Sequence, residues 1–302
     1  MKLSENTRGA LWMSIAMGAF TFNDTCMKVV TETLPLYEAI ALRGVLTVAA
    51  IALIGWHTGL LSLALASQDR SWLVLRTIGE VGGTVTFLTA LRHMPIANLS
   101  AIMQSLPLAV TLASVIWLRT PVGWRRLLAI SIGFCGVLII VRPGSEGFDR
   151  WSLLAVLSVA FVVLRDLATR RLSSELTSIT VAFVAATAVT LMAVAVLPFS
   201  GWVAPGLGES ALIAGASAFL ITGYILIVMA MRTGDIGHVA PFRYTSLLFA
   251  ITLGFAVFGQ LPDRLTVLGA LIIIATGIYT FHRERTRGQK VAVPVKAPLR
   301  LR

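Results

Sequence analysis

The stretch LRHMPIANLSAIMQSLPLAV, residues 91–110, has a counterpart 140 positions further on, MRTGDIGHVAPFRYTSLLFA, residues 231–250. The offset places Arg92 on Arg232, Ala97 on Gly237 and Gln104 on Tyr244, and after a one-residue slip Gly136 falls on Gly277. The match also holds near the start of each half. NDTCMK (23–28) lies over RDLATR (165–170), with Asp24 on Asp166 and Lys28 on Arg170. The chain therefore reads as one unit used twice, and the fold depends on what solvent that unit is built for.

That solvent is a membrane. Of 302 residues, 57% are hydrophobic and 13% charged, whereas a soluble domain carries about 25% charged residues. Too little polar surface remains to cover a water-soluble fold of this length. A span needs about 20 apolar residues rising 1.5 Å each. Ten runs qualify: 9–31, 36–56, 71–91, 94–118, 124–141, 151–171, 177–198, 209–231, 237–258 and 264–282. Five spans per copy is an odd number, so the second copy enters the membrane upside down. The expected fold is an all-α membrane protein with ten transmembrane helices as two inverted five-helix repeats. Secondary transporters with such repeats hold their substrate near mid-membrane between the copies. The units are a cytoplasmic N-terminus at 1–8, repeats at 9–145 and 146–283, and a basic tail at 284–302.

The net charge of +11 does not point to nucleic acid. Seven of the 25 basic residues fall at 283–302, a segment with Pro294 and Pro298 and little aromatic interleaving, which reads as a disordered cytoplasmic tail. With the five placed deep inside spans left out and those at span ends counted with the adjoining loops, 16 Lys and Arg lie on the side of the two termini and 4 on the other. By the positive-inside rule both termini are cytoplasmic. The first apolar run is full span length with no small-residue cleavage site after it, so it is expected to be retained. Cys26 and Cys135 sit apart in apolar runs and read as small hydrophobes.

Charges inside the spans carry the functional reading, because an ionisable group at mid-membrane costs about 2.5–3.5 kcal/mol on insertion scales and so pairs or lines a wet path. Asp24 and Lys28 share a helix face, as do Arg76 and Glu80. Each pair reads either as an internal salt bridge or as cavity lining. Arg43 and Arg243 could grip an anionic group bidentately or pair with Glu80 or Asp24. Gln104 and Tyr244, matched in the repeat, could hydrogen-bond or stack on a ring, or simply pack. The substrate-cavity candidates are Asp24, Arg43, Glu80, Gln104, Arg243 and Tyr244. The structural or gating candidates are Lys28, Arg76, Pro107, Arg165 and Asp166, with Pro107 expected to kink the fourth span by freeing a carbonyl.

Beyond these residues, the chain resembles an EamA-type permease of the drug/metabolite transporter superfamily over about residues 8–283. The ten spans and the duplicated unit carry the resemblance, together with WLRTPVGWRRLLAISIGFCGVLIIVRPG (117–144) and its counterpart FGQLPDRLTVLGALIIIATGIYTFHR (258–283). Such permeases often have a Glu before the proline of that turn, where Arg119 and Gln260 stand here, so the resemblance does not carry over a structural salt bridge at that place. The resemblance implies a multi-pass inner-membrane carrier with a central cavity and alternating access, for amino acids, other metabolites or vitamins. GALWMSIAMGAFTFNDTCMK (9–28) is similar to a branch that includes riboflavin transporters, which makes riboflavin uptake the first substrate guess and export of an amino acid or other metabolite the alternative.

An enzyme is disfavoured: there is no GxSxG and no HExxH, and the four histidines fall near span ends. No filter-like sequence supports a channel, and no GxxxxGK[ST] supports ATP-driven transport. No cofactor and no metal are expected. The expected partners are the lipid bilayer and a small-molecule substrate, with a coupled proton or ion and a homodimer as further candidates, and no nucleic acid.

Overall fold

A computed structural model of the chain describes residues 4–61, 67–118, 123–143, 149–173, 175–233 and 236–286, which form helices and turns without a strand. Most of the basic tail, residues 287–302, and Arg119 lie outside the described residues. The helices are α1 (Glu5–Thr33), α2 (Leu36–Thr58), α3 (Ser67–His93), α4 (Ile96–Met103), α5 (Leu106–Leu118), α6 (Trp124–Val141) and α7 (Trp151–Thr169). There follow α8 (Ser178–Ser200), α9 (Leu207–Thr233), α10 (Ile236–Val239), a 3-10 turn (Ala240–Tyr244), α11 (Thr245–Phe258) and α12 (Arg264–Thr286).

Local chemistry sets the ends. Ser4 Oγ accepts from the Thr7 amide at 3.2 Å, and Thr177 Oγ1 accepts from the Thr180 amide at 3.1 Å, two ordinary N-caps. α2 and α8 are one span each, but two other spans are broken. The fourth is interrupted at Gln104–Ser105, between α4 and α5. Pro107 has no amide to give the Met103 carbonyl, so the helical ladder lapses there. At the matched place in the second copy the ninth span passes through the 3-10 turn, with Pro241 near its start.

Eight segments are long and apolar enough to cross a membrane: α2, α4 with α5, α6, α7, α8, α9, the 3-10 turn with α11, and α12. The expectation was ten. The other two, α1 with 29 residues and α3 with 27, have the length. They fall short on apolarity because they carry polar and charged groups, Asn23, Asp24 and Lys28 on α1, Arg76 and Glu80 on α3.

The helices of one copy pack chiefly on those of the other: α1 on α9, α3 on α7, α2 on α8, α6 on α12. Each contact is antiparallel. Phe20 meets Tyr224 at 5.4 Å between ring centroids and Phe22 meets Phe219 at 5.2 Å. Gly44 faces Thr190 while Gly55 faces Ile179, and Gly133 faces Thr276 while Gly136 faces Gly269. Under the sequence offset α8 is the counterpart of α2, and α12 of α6. A helix that runs antiparallel to its own counterpart requires a two-fold axis across the helices, not along them.

The half of the bundle away from the termini is filled. Met27, Val30, Ile40, Leu91, Ile96 and Leu99 are buried there, at the ends of α1 and α3 and the starts of α2 and α4.

Candidate functional site

In the other half the helices part around a cavity of about 710 Å³, the size of a small-molecule site. Its wall includes residues from both copies, and it reaches Arg126 in the first turn of α6, Arg170 at the end of α7 and Phe281 on α12. All three positions are on the side of the two termini.

The cavity's charged wall is built where α3 crosses α7. Gly79 makes the close approach feasible: a Cβ there would sit 2.7 Å from the Arg165 amide nitrogen and 2.8 Å from the Phe161 carbonyl. With the backbones this near, Glu80 lies between two arginines, 3.4 Å from Arg76 and 3.5 Å from Arg165. Arg165 in turn reaches Asp166, Nη2 to Oδ1 at 2.9 Å and Nε to Oδ1 at 3.0 Å. The side chains of Arg76 and Glu80 are 13% and 14% exposed. The row Arg76–Glu80–Arg165–Asp166 thus keeps its charges paired and sparsely hydrated.

A second polar group joins α1 to α2. Arg43 Nη1 donates to Asn23 Oδ1 at 3.2 Å, and Asn23 Nδ2 donates to Asp24 Oδ1 at 2.9 Å. Asn23 therefore stands between the cation and the carboxylate. A third contact joins the two broken spans: Gln104 Nε2 donates to Ser246 Oγ at 2.7 Å. Arg243, on the 3-10 turn, lines the cavity with Asp166 and Arg165 in electrostatic reach.

Of the sequence candidates, Asp24, Arg43, Arg76, Glu80, Gln104, Pro107, Arg165, Asp166 and Arg243 all line the cavity. Two do not. Tyr244 is 6% exposed and packs between Ala240 and Phe281, with its ring over Gly277 of α12. The ring lies there because the matched glycine leaves room for it. Lys28 is 5% exposed, and its Nζ donates to the carbonyls of Leu91 at 2.6 Å and Met94 at 2.8 Å, at the end of α3. The Asp24–Lys28 pair suggested by their spacing does not form.

Sequence reasoning missed four lining residues that bear on the chemistry. Arg126 and Arg170 read as cytoplasmic turn residues, yet Arg126 Nη2 donates to Thr111 Oγ1 at 3.0 Å and Arg170 Nη1 donates to Ser114 Oγ at 3.1 Å, on α5 inside the cavity wall. Tyr224 carries no charge and gave no signal inside an apolar run, and Asn23 stood out as a polar residue of the first span without being counted among the cavity candidates. Among the described residues no group of three or more His, Cys, Asp or Glu is placed to hold a metal.

The chain is similar to several known transporters. A riboflavin transporter of Vibrio cholerae is 27% identical over 293 residues, covering 94% of this chain and 96% of its own. An S-adenosylmethionine uptake transporter of Rickettsia conorii is 26% identical over 216 residues, 70% of this chain and 72% of its own. A pseudopaline exporter of Pseudomonas aeruginosa is 26% identical over 276 residues, 89% of this chain and 94% of its own. The sequence profile of the EamA-like transporter family matches twice, at residues 7–142 and 149–281, once for each copy of the repeat. With both halves matched and the charged cavity between them, the chain belongs to the EamA-like transporter family.

Proposed function

We propose that the protein is a secondary carrier that moves a small organic metabolite across the inner membrane by alternating access. The observation that carries this reading is the cavity: charged and polar side chains from both copies line one half of the bundle, and apolar side chains fill the other half. In this reading α1 and α3 are the two remaining spans, making ten, with repeats at 9–145 and 146–283 crossing the membrane in opposite senses. Both termini are cytoplasmic, so the cavity opens inward. Asp24, Arg43, Glu80, Gln104 and Arg243 meet the substrate, and Asp24 or Glu80 carries a coupled proton. Lys28 and Tyr244 support the frame.

The first substrate to test is riboflavin, in the uptake direction, supported by relatives of that name in Vibrio cholerae and Rhizobium johnstonii. Expression in a bacterium that cannot make riboflavin should restore growth at low micromolar riboflavin. Failure to grow, with the protein shown to be in the membrane, would discard riboflavin uptake. Metabolite export is the second reading, favoured by the pseudopaline exporter at 26% identity. It predicts that cells expressing the chain lose a preloaded metabolite faster than cells that lack it.

A further inference from the structure

We infer that the molecule held in this cavity carries an anionic group, a carboxylate or a phosphate, gripped by Arg243. The inference rests on the carrier reading for what happens after binding but not on riboflavin as the substrate, since riboflavin is neutral and its 5′-phosphate is the flavin expected to bind more tightly.

Charge is the first argument. Leaving aside Arg126 and Arg170, four arginines (43, 76, 165 and 243) face three carboxylates (Asp24, Glu80 and Asp166) among the described lining residues, an excess of one positive charge. How the carboxylates are used is the second. Glu80 serves Arg76 and Arg165, Asp166 serves Arg165, and Asp24 takes the Asn23 amide. Arg126 and Arg170 have hydroxyl partners in Thr111 and Ser114. Arg243 has neither a hydrogen bond nor an ion pair among the described residues. Buried Nε of Arg76 also lacks a hydrogen-bond acceptor. The wall thus offers more guanidinium N–H groups than it has carboxylate oxygens to receive them.

Position is the third argument. Arg243 lies on the 3-10 turn that breaks the ninth span, immediately before α11, and the N-terminus of α5 lies at the matching break. Both half-helices turn their positive ends toward the same level of the bundle. A guanidinium there presents a planar fork that fits a carboxylate or phosphate with two parallel bonds. The cavity wall also includes Phe20 and Tyr224, which meet edge to face, and so suits an apolar or aromatic body attached to the anion. A cationic ligand would meet the surplus positive charge, and a neutral one would leave the guanidinium of Arg243 without an ion pair of its own, since Asp166 is already engaged by Arg165.

The test uses purified full-length protein and three matched pairs of probes. They are riboflavin with riboflavin 5′-phosphate, adenosine with adenosine 5′-monophosphate, and 4-hydroxyphenylethanol with 4-hydroxyphenylacetate. Binding is followed by thermal shift and titration, and counterflow by proteoliposomes loaded with the same compounds. We expect the anionic member of at least one pair to bind at least tenfold more tightly than its neutral partner. Arg243→Gln should remove that preference, and Arg243→Lys, which keeps the charge without the fork, should restore part of it. The inference is overturned if neutral members bind as well as anionic ones in every pair, if no anion binds, or if folded Arg243→Gln keeps the preference. Anion binding without counterflow would uphold the inference and sink the carrier reading. Counterflow of neutral members alone would do the reverse.

Discussion

Replacing Lys28 with methionine separates a structural role for this buried charge from a role in transport. The carbonyl of Leu91 would ordinarily receive the amide of residue 95, but that residue is Pro95 and has none. Lys28 supplies the missing donor, reaching both Leu91 and Met94 from α1, and its ammonium lies 5.4 Å from the centre of the Phe258 ring. Methionine keeps the length and removes every donor. Two buried carbonyls left without partners cost about 1–3 kcal/mol each, and the lost cation–π contact costs about 1–2 kcal/mol. Removing a buried ammonium returns several kcal/mol of desolvation with the opposite sign. The balance is a loss of about 2–4 kcal/mol. Unfolding entropy of about 2.1 cal/mol/K per residue over 302 residues gives about 0.6 kcal/mol/K, so the apparent Tm should fall by about 3–7 °C. Scanning fluorimetry in detergent reads this shift, and transport per folded molecule below the transition should change less than twofold. A Tm within about 1 °C of the parent together with abolished transport would refute the reasoning and place Lys28 in the transport path.

The remaining predictions use the same stability assay. Gly79→Ala puts its Cβ against backbone atoms of α7 at 2.7 and 2.8 Å and should cost about 1–3 kcal/mol, whereas Gly83→Ala, whose nearest neighbour is 3.4 Å away, should cost under about 1 kcal/mol; equal losses would contradict the crossing geometry. Asp69 accepts from the amide and hydroxyl of Ser173 at 2.8 and 2.6 Å, buried at the start of α3, so Asp69→Asn should cost about 1–3 kcal/mol. Glu209, the counterpart of Asp69 under the 140-residue offset, meets Thr33 at 3.4 Å in an exposed place, so Glu209→Gln should cost under about 0.5 kcal/mol, and a larger loss there than at Asp69 would reverse the assignment. Asp263, in the turn before α12, is pushed up by burial, but the Thr266 amide and Arg142 outweigh that and hold its carboxyl below the usual value. A lowered folded pKa stabilises above the unfolded value and is lost as pH falls through the folded one. The gap in Tm between the parent and Asp263→Asn should therefore narrow below about pH 4, and a gap constant down to pH 3 would contradict the pairing.

Features that repeat along the chain were legible in the sequence. Apolar runs gave the helices, the 140-residue offset gave the two copies and Pro107 gave the break in the fourth span, because proline chemistry and span length act locally; the matching break in the ninth span was not anticipated. Intramembrane charge gave most of the cavity wall, since lipid penalises Asp24, Arg43, Glu80 and Arg243 anywhere else. Partner choice was not legible. Lys28 has Asp24 one turn away on its own helix but donates to carbonyls 63 and 66 residues on, because an orphaned carbonyl beside Pro95 is visible only once α1 and α3 are packed. Tyr244 adjoins Arg243 in sequence yet faces α12, because successive residues of a tight helix point to different sides. Arg126 and Arg170 were assigned to the cytoplasmic surface by position, and their long side chains reach Thr111 and Ser114 inside the wall.

The most direct test of the carrier account is counterflow in proteoliposomes, using the three matched pairs of probes, for the parent protein, Glu80→Gln and Arg243→Gln. The account predicts that trans-loading the same compound accelerates saturable entry in the parent, and that both variants, folded by thermal shift, lose that acceleration at least tenfold. Entry that is unaffected by trans-loading, or parent-level counterflow in both variants, would contradict it.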